Sequence, residues 1–123
     1  MSPRAWSDRV RDILDAIGEI QLFMRGVEYD SFASNREKRK AVLANFAIIG
    51  EASRHIPDAI KQRHPGVPWV EMGRMRNFVV HVYFAVDSKI VWDTVQDDLP
   101  PLAEQLRIVL NDENPLFESP EEP

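Results

Sequence analysis

The stretch that decides the fold is residues 69–84, which read Trp-Val-Glu-Met-Gly-Arg-Met-Arg-Asn-Phe-Val-Val-His-Val-Tyr-Phe. On a helical wheel of about 100° per residue, its apolar side chains collect on one side. That stripe contains Met72, Met75, Phe78, Val79 and Val82. A wide apolar stripe of this kind predicts a helix with one face in a hydrophobic core.

The opposite side of the same wheel is polar and contains Arg76, Asn77, His81 and Tyr83. Asn77 and His81 are four residues apart and therefore neighbours, while Arg76 and Tyr83 lie two turns apart on one line. Arg76 and His81 differ by about 140°, too far for direct contact on a straight helix. The wheel therefore predicts that Arg76 and His81 meet through a shared ligand lying over Asn77.

This set of side chains suits an RNA phosphodiester. An imidazole that titrates near neutrality can take a proton from a ribose 2′-hydroxyl or give one to the leaving oxygen. Arg76 can bind the phosphate through two hydrogen bonds and stabilise its growing charge. Because the 2′-hydroxyl is an internal nucleophile, the reaction needs no metal and no cofactor. A lone His or Arg on a helix is more often packed or solvated than catalytic, so the wheel alone leaves both interpretations open.

Two apolar residues, Val80 and Phe84, interrupt the polar side. Apolar groups among polar ones are typical of a surface that another chain covers. We therefore predict a homodimer formed through this region, with two copies of the polar set across a shared groove.

Outward from this stretch, every segment has helical periodicity. A first helix from Arg4 to Arg25 precedes Gly26, and a second follows the Ser34 to Glu37 capping-box spacing and runs up to Pro57. The further helices that we predict are a short turn over 58–63, a helix capped by Asp87, and a last one opened by Pro100-Pro101. No stretch alternates with a period of two. The fold class is therefore all-α, a single bundle of about five to six helices.

The composition excludes several classes of protein. The chain has 123 residues, enough for one domain with one core, and no apolar run approaches the roughly 18 residues of a membrane span. It has no cysteine, and its three histidines show no metal-ligand spacing. The N-terminus lacks the apolar segment of a secretory signal. We therefore expect a cytoplasmic protein without membrane partners, metal or cofactor.

The net charge of −5 is unevenly distributed. Residues 111–123 hold five acidic residues, three prolines and no Lys or Arg, which is typical of a flexible acidic tail. Residues 1–110 hold fifteen residues of each sign, and the segment 36–76 has nine Lys or Arg against four acidic residues. We therefore expect a domain over 1–110 followed by a tail, with a locally basic middle that permits an anionic ligand without requiring one.

The residues around the polar set resemble the HepT-like branch of the HEPN superfamily, whose signature is R-x4-H-x-Y. Arg76, His81 and Tyr83 stand at its three positions. The similarity extends over about residues 5–110 and includes Ile48-Ile49-Gly50-Glu51-Ala52, His64-Pro65-Gly66-Val67-Pro68-Trp69, and Asp87 with Val91-Trp92-Asp93-Thr94-Val95.

This resemblance implies a homodimeric, metal-independent ribonuclease toxin paired with a minimal nucleotidyltransferase antitoxin. Arg76 and His81 would be its catalytic pair, Asn77 a supporting residue, and Tyr83 the acceptor of AMP from the antitoxin. The alternative is a non-catalytic helical subunit that holds a nucleotide or substrate for a nucleotidyltransferase. Toxicity of the chain expressed alone, relieved by His81→Ala, would favour the ribonuclease.

Overall fold

The computed structural model describes residues 5–85 and 87–113, and within them the side chains of 78–85 lie outside the description. The described residues form helices and connecting turns without a strand, so the predicted all-α class is confirmed. The elements are α1 (Trp6–Met24), α2 (Tyr29–Ser34), α3 (Arg36–Ser53), α4 (Asp58–Arg63), α5 (Trp69–Ala85), α6 (Ser88–Asp93), a π-helical turn (Thr94–Asp98) and α7 (Leu99–Glu113).

The core lies where the long helices meet. α3 packs against both α1 and α5, and α7 also packs against α1. The apolar positions at three- and four-residue steps are the buried ones, and each buried aliphatic or aromatic side chain contributes about 1.5–3 kcal/mol. The most deeply buried include Val10, Ile13, Ile17, Ile20, Val42, Phe46, Ile49, Met72, Leu99 and Leu106. None of the helices in the described part of the chain is both long and apolar enough to cross a membrane.

The end of α1 was predicted correctly. Gly26 has a φ of 72°, in the left-handed region that glycine adopts without strain, and it turns the chain away from the helix. Lys38, on α3, donates a hydrogen bond from Nζ to the carbonyl of Phe23 over 2.9 Å. This bond satisfies one of the carbonyls that the last turn of α1 leaves open.

The start of α3 was predicted one residue too early. Its N-cap is Asn35, whose side chain accepts a hydrogen bond from the amide of Lys38 over 2.9 Å. Ser34 ends α2, and its hydroxyl donates to the carbonyls of Asp30 and Ser31. Ser34 is therefore used by a short helix that the sequence analysis did not identify.

The C-terminal helices differ from the prediction in one respect. Asp87 caps α6 as predicted, by accepting from the amide of Ile90 over 3.2 Å. Pro100-Pro101 does not open a separate helix, because the backbone continues from α6 through the π-helical turn into α7. Prolines have no N–H to donate to the preceding turn, and the backbone widens directly before them. α7 extends to Glu113, so residues 111–113 of the predicted tail are helical, and 114–123 lie outside the described residues.

Candidate active site

Helices α3 and α5 approach each other closely at Gly50, on α3, and Arg76, on α5. A β-carbon on Gly50 would lie 2.6 Å from the backbone nitrogen of Arg76 and 2.8 Å from its β-carbon. Real β-carbons do not approach other atoms this closely, so only glycine fits. The two backbones are thereby fixed against each other at the residue that the sequence analysis identified as catalytic.

Of the polar side of α5, the structure describes the side chains of Arg76 and Asn77. Arg76 and Asn77 are exposed, whereas Met72 and Met75 of the apolar stripe are buried. The α5 backbone continues across positions 81 and 83 to Ala85. The side chains of His81 and Tyr83 lie outside the described residues, so their roles stay predictions, as does the predicted dimer contact of Val80 and Phe84.

Arg76 forms an ion pair with Glu51, the residue after Gly50. Nη1 of Arg76 lies 3.1 Å from Oε1 of Glu51, and each side chain is 51% exposed. The other carboxylate oxygen, Oε2, lies 3.4 Å from Nε2 of His55, in the turn that follows α3. Glu51 therefore bridges a guanidinium and an imidazole at the surface.

This ion pair borders an open groove with a volume of about 440 Å³. The groove runs between α1, α3 and α5. It is lined by two cations, Arg9 and Arg76, by two carboxylates, Asp12 and Glu51, and by the apolar residues Ala47, Ile48 and Ala52. Ile48 is exposed although it is a large apolar side chain. The groove is thus neutral in formal charge, partly apolar, and wide enough for a phosphate and part of a nucleoside.

Further along α1, the surface beside the helix is negatively charged. A second depression, of about 220 Å³, lies between α1 and α3 and is lined by Asp12, Asp15, Ala16, Glu19, Asn45 and Ile48. Its three carboxylates would repel a phosphate chain. An anionic ligand is therefore favoured beside Arg76 and disfavoured along the rest of α1.

Three cations of the predicted basic middle of the chain stabilise the fold through hydrogen bonds. Lys38 and Arg39 donate to backbone carbonyls near the ends of α1 and α2. Arg63 donates two hydrogen bonds from Nε and Nη2 to Glu113. Arg76, by contrast, has its partner Glu51 in the groove.

The loop before α5 is held in place by the far end of the chain. The indole nitrogen of Trp69 donates to the carbonyl of His64 over 2.9 Å, and Gln105 on α7 donates to the carbonyl of Gly66 over 3.0 Å. His64 Nε2 also lies 2.7 Å from Oε2 of Glu113, which binds Arg63 as well. The hydrogen bonds of Arg63, and then of His64, lower the pKa of Glu113 to about 2. The start of α5 is thus positioned by contacts to α7.

Glu51 and Arg9 were not identified as site residues from the sequence. Glu51 stood inside the segment 48–52 that carried the family resemblance, but no role was given to it. Gly50 is the sequence feature that could have pointed to this site. A glycine inside a helix lowers helix stability by about 1 kcal/mol relative to alanine and usually has a packing reason. Neither residue could be placed beside Arg76 without the packing of α1, α3 and α5.

Among the side chains that the structure describes, no group of three or more His, Asp or Glu residues is arranged to hold a metal ion. The chemistry available at the groove comes from the guanidinium groups of Arg9 and Arg76 and the carboxylates of Asp12 and Glu51. Asn77 is exposed next to Arg76 on α5.

Comparison with known proteins connects this site with a family. The model of the family described as "Ribonuclease HepT-like" matches residues 13–109. A protein of Thermococcus cleftensis named "Probable ribonuclease HepT" is 41% identical over 99 residues, covering 80% of this chain and 90% of that protein. A protein of Methanocaldococcus jannaschii named "Putative RNase" is 36% identical over 109 residues, covering 89% of this chain and all of that protein. No solved structure matches the chain significantly. The match includes Gly50, Glu51 and the whole of α5, and by it the chain belongs to the ribonuclease HepT-like family.

Proposed function

We propose that this protein is a metal-independent RNA endonuclease that acts as the toxin of a toxin–antitoxin pair in the cytoplasm. The observation that carries the proposal is the position of Arg76. Its guanidinium is exposed at the edge of a groove of phosphate size, on a helix whose backbone is fixed by contact with α3. Membership of the ribonuclease HepT-like family supports an RNA substrate.

The reaction we propose is an internal transfer of the phosphate. His81 takes the proton of the ribose 2′-hydroxyl, and the 2′-oxygen attacks the adjacent phosphorus. The bond from phosphorus to the 5′-oxygen of the next nucleotide breaks, and that oxygen receives a proton. The products are a 2′,3′-cyclic phosphate and a 5′-hydroxyl. Arg76 binds the non-bridging oxygens and stabilises the additional negative charge of the transition state.

Asn77 has a supporting role in this mechanism. It follows Arg76 directly and is exposed on the same side of α5. In a helix, its position is also four residues before His81, which is the spacing of neighbouring side chains. An amide at this position can donate to a phosphate oxygen and accept from an imidazole N–H.

Control of the toxin is proposed to act through Tyr83. A minimal nucleotidyltransferase partner would transfer AMP from ATP to the phenolic oxygen, with release of pyrophosphate. The added phosphate is negative and can pair with Arg76, so it competes with RNA for the same cation. We also propose a homodimer that brings two motif helices to one groove, through Val80 and Phe84.

The test is cleavage of total RNA by the purified protein in the presence of EDTA. We expect cleavage by the wild type, and loss of at least 100-fold in rate for His81→Ala and Arg76→Ala, since each removes a group used in the transition state. Arg74→Ala is the matched control, because Arg74 is an exposed cation on α5 that borders a different groove, beside α7. It should cleave at the wild-type rate.

Three results would contradict the proposal: full activity of His81→Ala, an absolute requirement for a divalent ion, or products that carry a 3′-hydroxyl. Binding of RNA without any cleavage would favour a non-catalytic binding subunit. Growth of cells that express the chain alone supplies an independent readout, because His81→Ala should relieve toxicity.

A further inference from the structure

Glu51 uses its two carboxylate oxygens on two different side chains. Oε1 lies 3.1 Å from Nη1 of Arg76, and Oε2 lies 3.4 Å from Nε2 of His55. Glu51 directly follows Gly50 near the end of α3, and His55 lies in the turn after that helix. The carboxylate therefore has one defined orientation, with one oxygen toward the proposed phosphate-binding residue.

The contact between the α3 and α5 backbones fixes where Glu51 lies relative to Arg76. Gly50 fixes the α3 backbone directly against the backbone of Arg76, as the 2.6 Å approach of a β-carbon shows. Glu51 is the next residue, so its α-carbon has little freedom relative to Arg76. The only adjustable parts between the two helices at this point are the two side chains themselves.

A contribution to folding stability does not explain why position 51 carries an acidic residue. The pair is half exposed on both sides, and exposed ion pairs contribute little to folding because water screens them. A carboxylate beside a phosphate-binding cation also weakens the attraction for a polyanion. A negative charge at this position is therefore unfavourable for binding RNA, and a benefit is expected in another step.

We infer that Glu51 is a positioning residue for Arg76, an inference that rests on the proposed function. The contact occupies Nη1, and the guanidinium has further N–H donors on Nη2 and Nε that can face a phosphate. Glu51 holds the guanidinium plane, and His55 holds Glu51. Arg76 then meets the transition state without first having to be ordered, which is the benefit that a preorganised donor gives.

The experiment compares Glu51→Gln with Glu71→Gln in steady-state RNA cleavage. Glu71 is an exposed carboxylate on α5 that borders the groove beside α7, so the control removes the same charge away from Arg76. We expect Glu51→Gln to lower kcat about ten- to hundredfold, because the guanidinium is no longer held in place. KM should stay equal or fall, since a repulsive charge is gone. Glu71→Gln should leave both constants unchanged.

A second readout does not depend on cleavage. The side-chain nitrogens of Arg76, assigned by loss of their signals in Arg76→Lys, report by NMR on rotation of the guanidinium. In the protein without RNA, we expect slow rotation in the wild type and in Glu71→Gln, and fast rotation in Glu51→Gln.

The possible outcomes separate this inference from the proposed function. An unchanged kcat with a lower KM in Glu51→Gln would overturn the inference, because Glu51 would then only repel RNA. Equal rotation of Arg76 in the wild type and Glu51→Gln would also overturn it. A wild type that cleaves no RNA would instead refute the proposed function, and the NMR comparison would still decide whether Glu51 positions Arg76.

Discussion

Gly50 and Arg76 touch through their backbones, with room at position 50 for a hydrogen atom and not for a methyl group. The first atoms of the site are therefore placed by main-chain contact between α3 and α5. Displacement of either helix is transmitted directly to Arg76, since no flexible side chain lies between them.

This contact makes a prediction for stability. Gly50→Ala should destabilise the protein, because inserting a methyl group into a packed contact usually costs about 1–3 kcal/mol. Alanine favours helices over glycine by about 1 kcal/mol, and the steric cost should outweigh that gain. Free energies of unfolding from urea titrations measure the effect.

Gly18 is the matched control for this substitution. It lies within α1, and a β-carbon there would meet nothing within 4 Å. Gly18→Ala should therefore stabilise the protein by up to about 1 kcal/mol. If both alanine variants were more stable than the wild type, the proposed tight contact at Gly50 would be wrong.

The ion pair at the end of α7 predicts a specific dependence of stability on pH. In the folded protein Arg63 and His64 lower the pKa of Glu113 to about 2, from an ordinary value of 4.5. A lowered pKa in the folded state stabilises the fold above pH 4.5, and this contribution is lost as the pH falls from 4.5 to 2. Glu113→Gln should therefore be less stable than the wild type at pH 7, with a difference that shrinks below pH 4.5.

Denaturant titrations of both proteins at pH 7 and pH 3 test this prediction. Glu104→Gln is a suitable comparison, because Glu104 lies on the same helix and is largely exposed beside Arg107. A difference between Glu113→Gln and the wild type that is equal at both pH values would show that the ion pair does not couple to folding.

Tyr83→Phe removes only the phenolic oxygen that would accept AMP. We expect this variant to cleave RNA as the wild type does and to resist inactivation by the partner nucleotidyltransferase and ATP. Intact mass spectrometry after incubation, together with a cleavage assay of each form, measures both properties. A mass increase of one AMP in Tyr83→Phe equal to that of the wild type would place the modification on another residue.

The predicted homodimer is tested by sedimentation at micromolar concentration. We expect a dimer mass for the wild type and a shift toward monomer for Phe84→Glu, because a buried charge at an apolar contact is costly. Ile108→Glu, an equal change at an exposed apolar residue of α7, should stay dimeric. A monomer mass for the wild type would exclude the dimer.

The long helices were predictable from the sequence, because the spacing of their apolar residues alone decides which face they bury. α2 was not, since its six residues make fewer than two helical turns, too few for a repeating apolar pattern. Its anchor is Phe32, which is fully buried and whose ring lies 5.9 Å from that of Trp92. That partner is sixty residues away in the sequence, so the helix depends on tertiary contacts that no local pattern reveals.

The residues of the candidate site likewise include some that the sequence could predict and some that it could not. Arg76 and Asn77 share a helix, so a helical wheel could assign both to the outer face. Glu51 and Arg9 come from other helices, and their distance from Arg76 is decided by how α1, α3 and α5 cross. Gly50 was the local sign of that crossing, because a glycine inside a helix has a cost that close packing offsets.

The mixture of charge around Arg76 limits how an RNA strand can lie on this surface. An RNA strand that followed α1 would pass the carboxylates of Asp12, Asp15 and Glu19. The favourable path therefore crosses the contact between α3 and α5 and then leaves the protein surface. Such a crossing brings few phosphates near a cation. For single strands, the logarithm of the binding constant falls by about 0.7 per neutralised phosphate for each tenfold increase in salt. The affinity of this surface for RNA should therefore depend only weakly on salt.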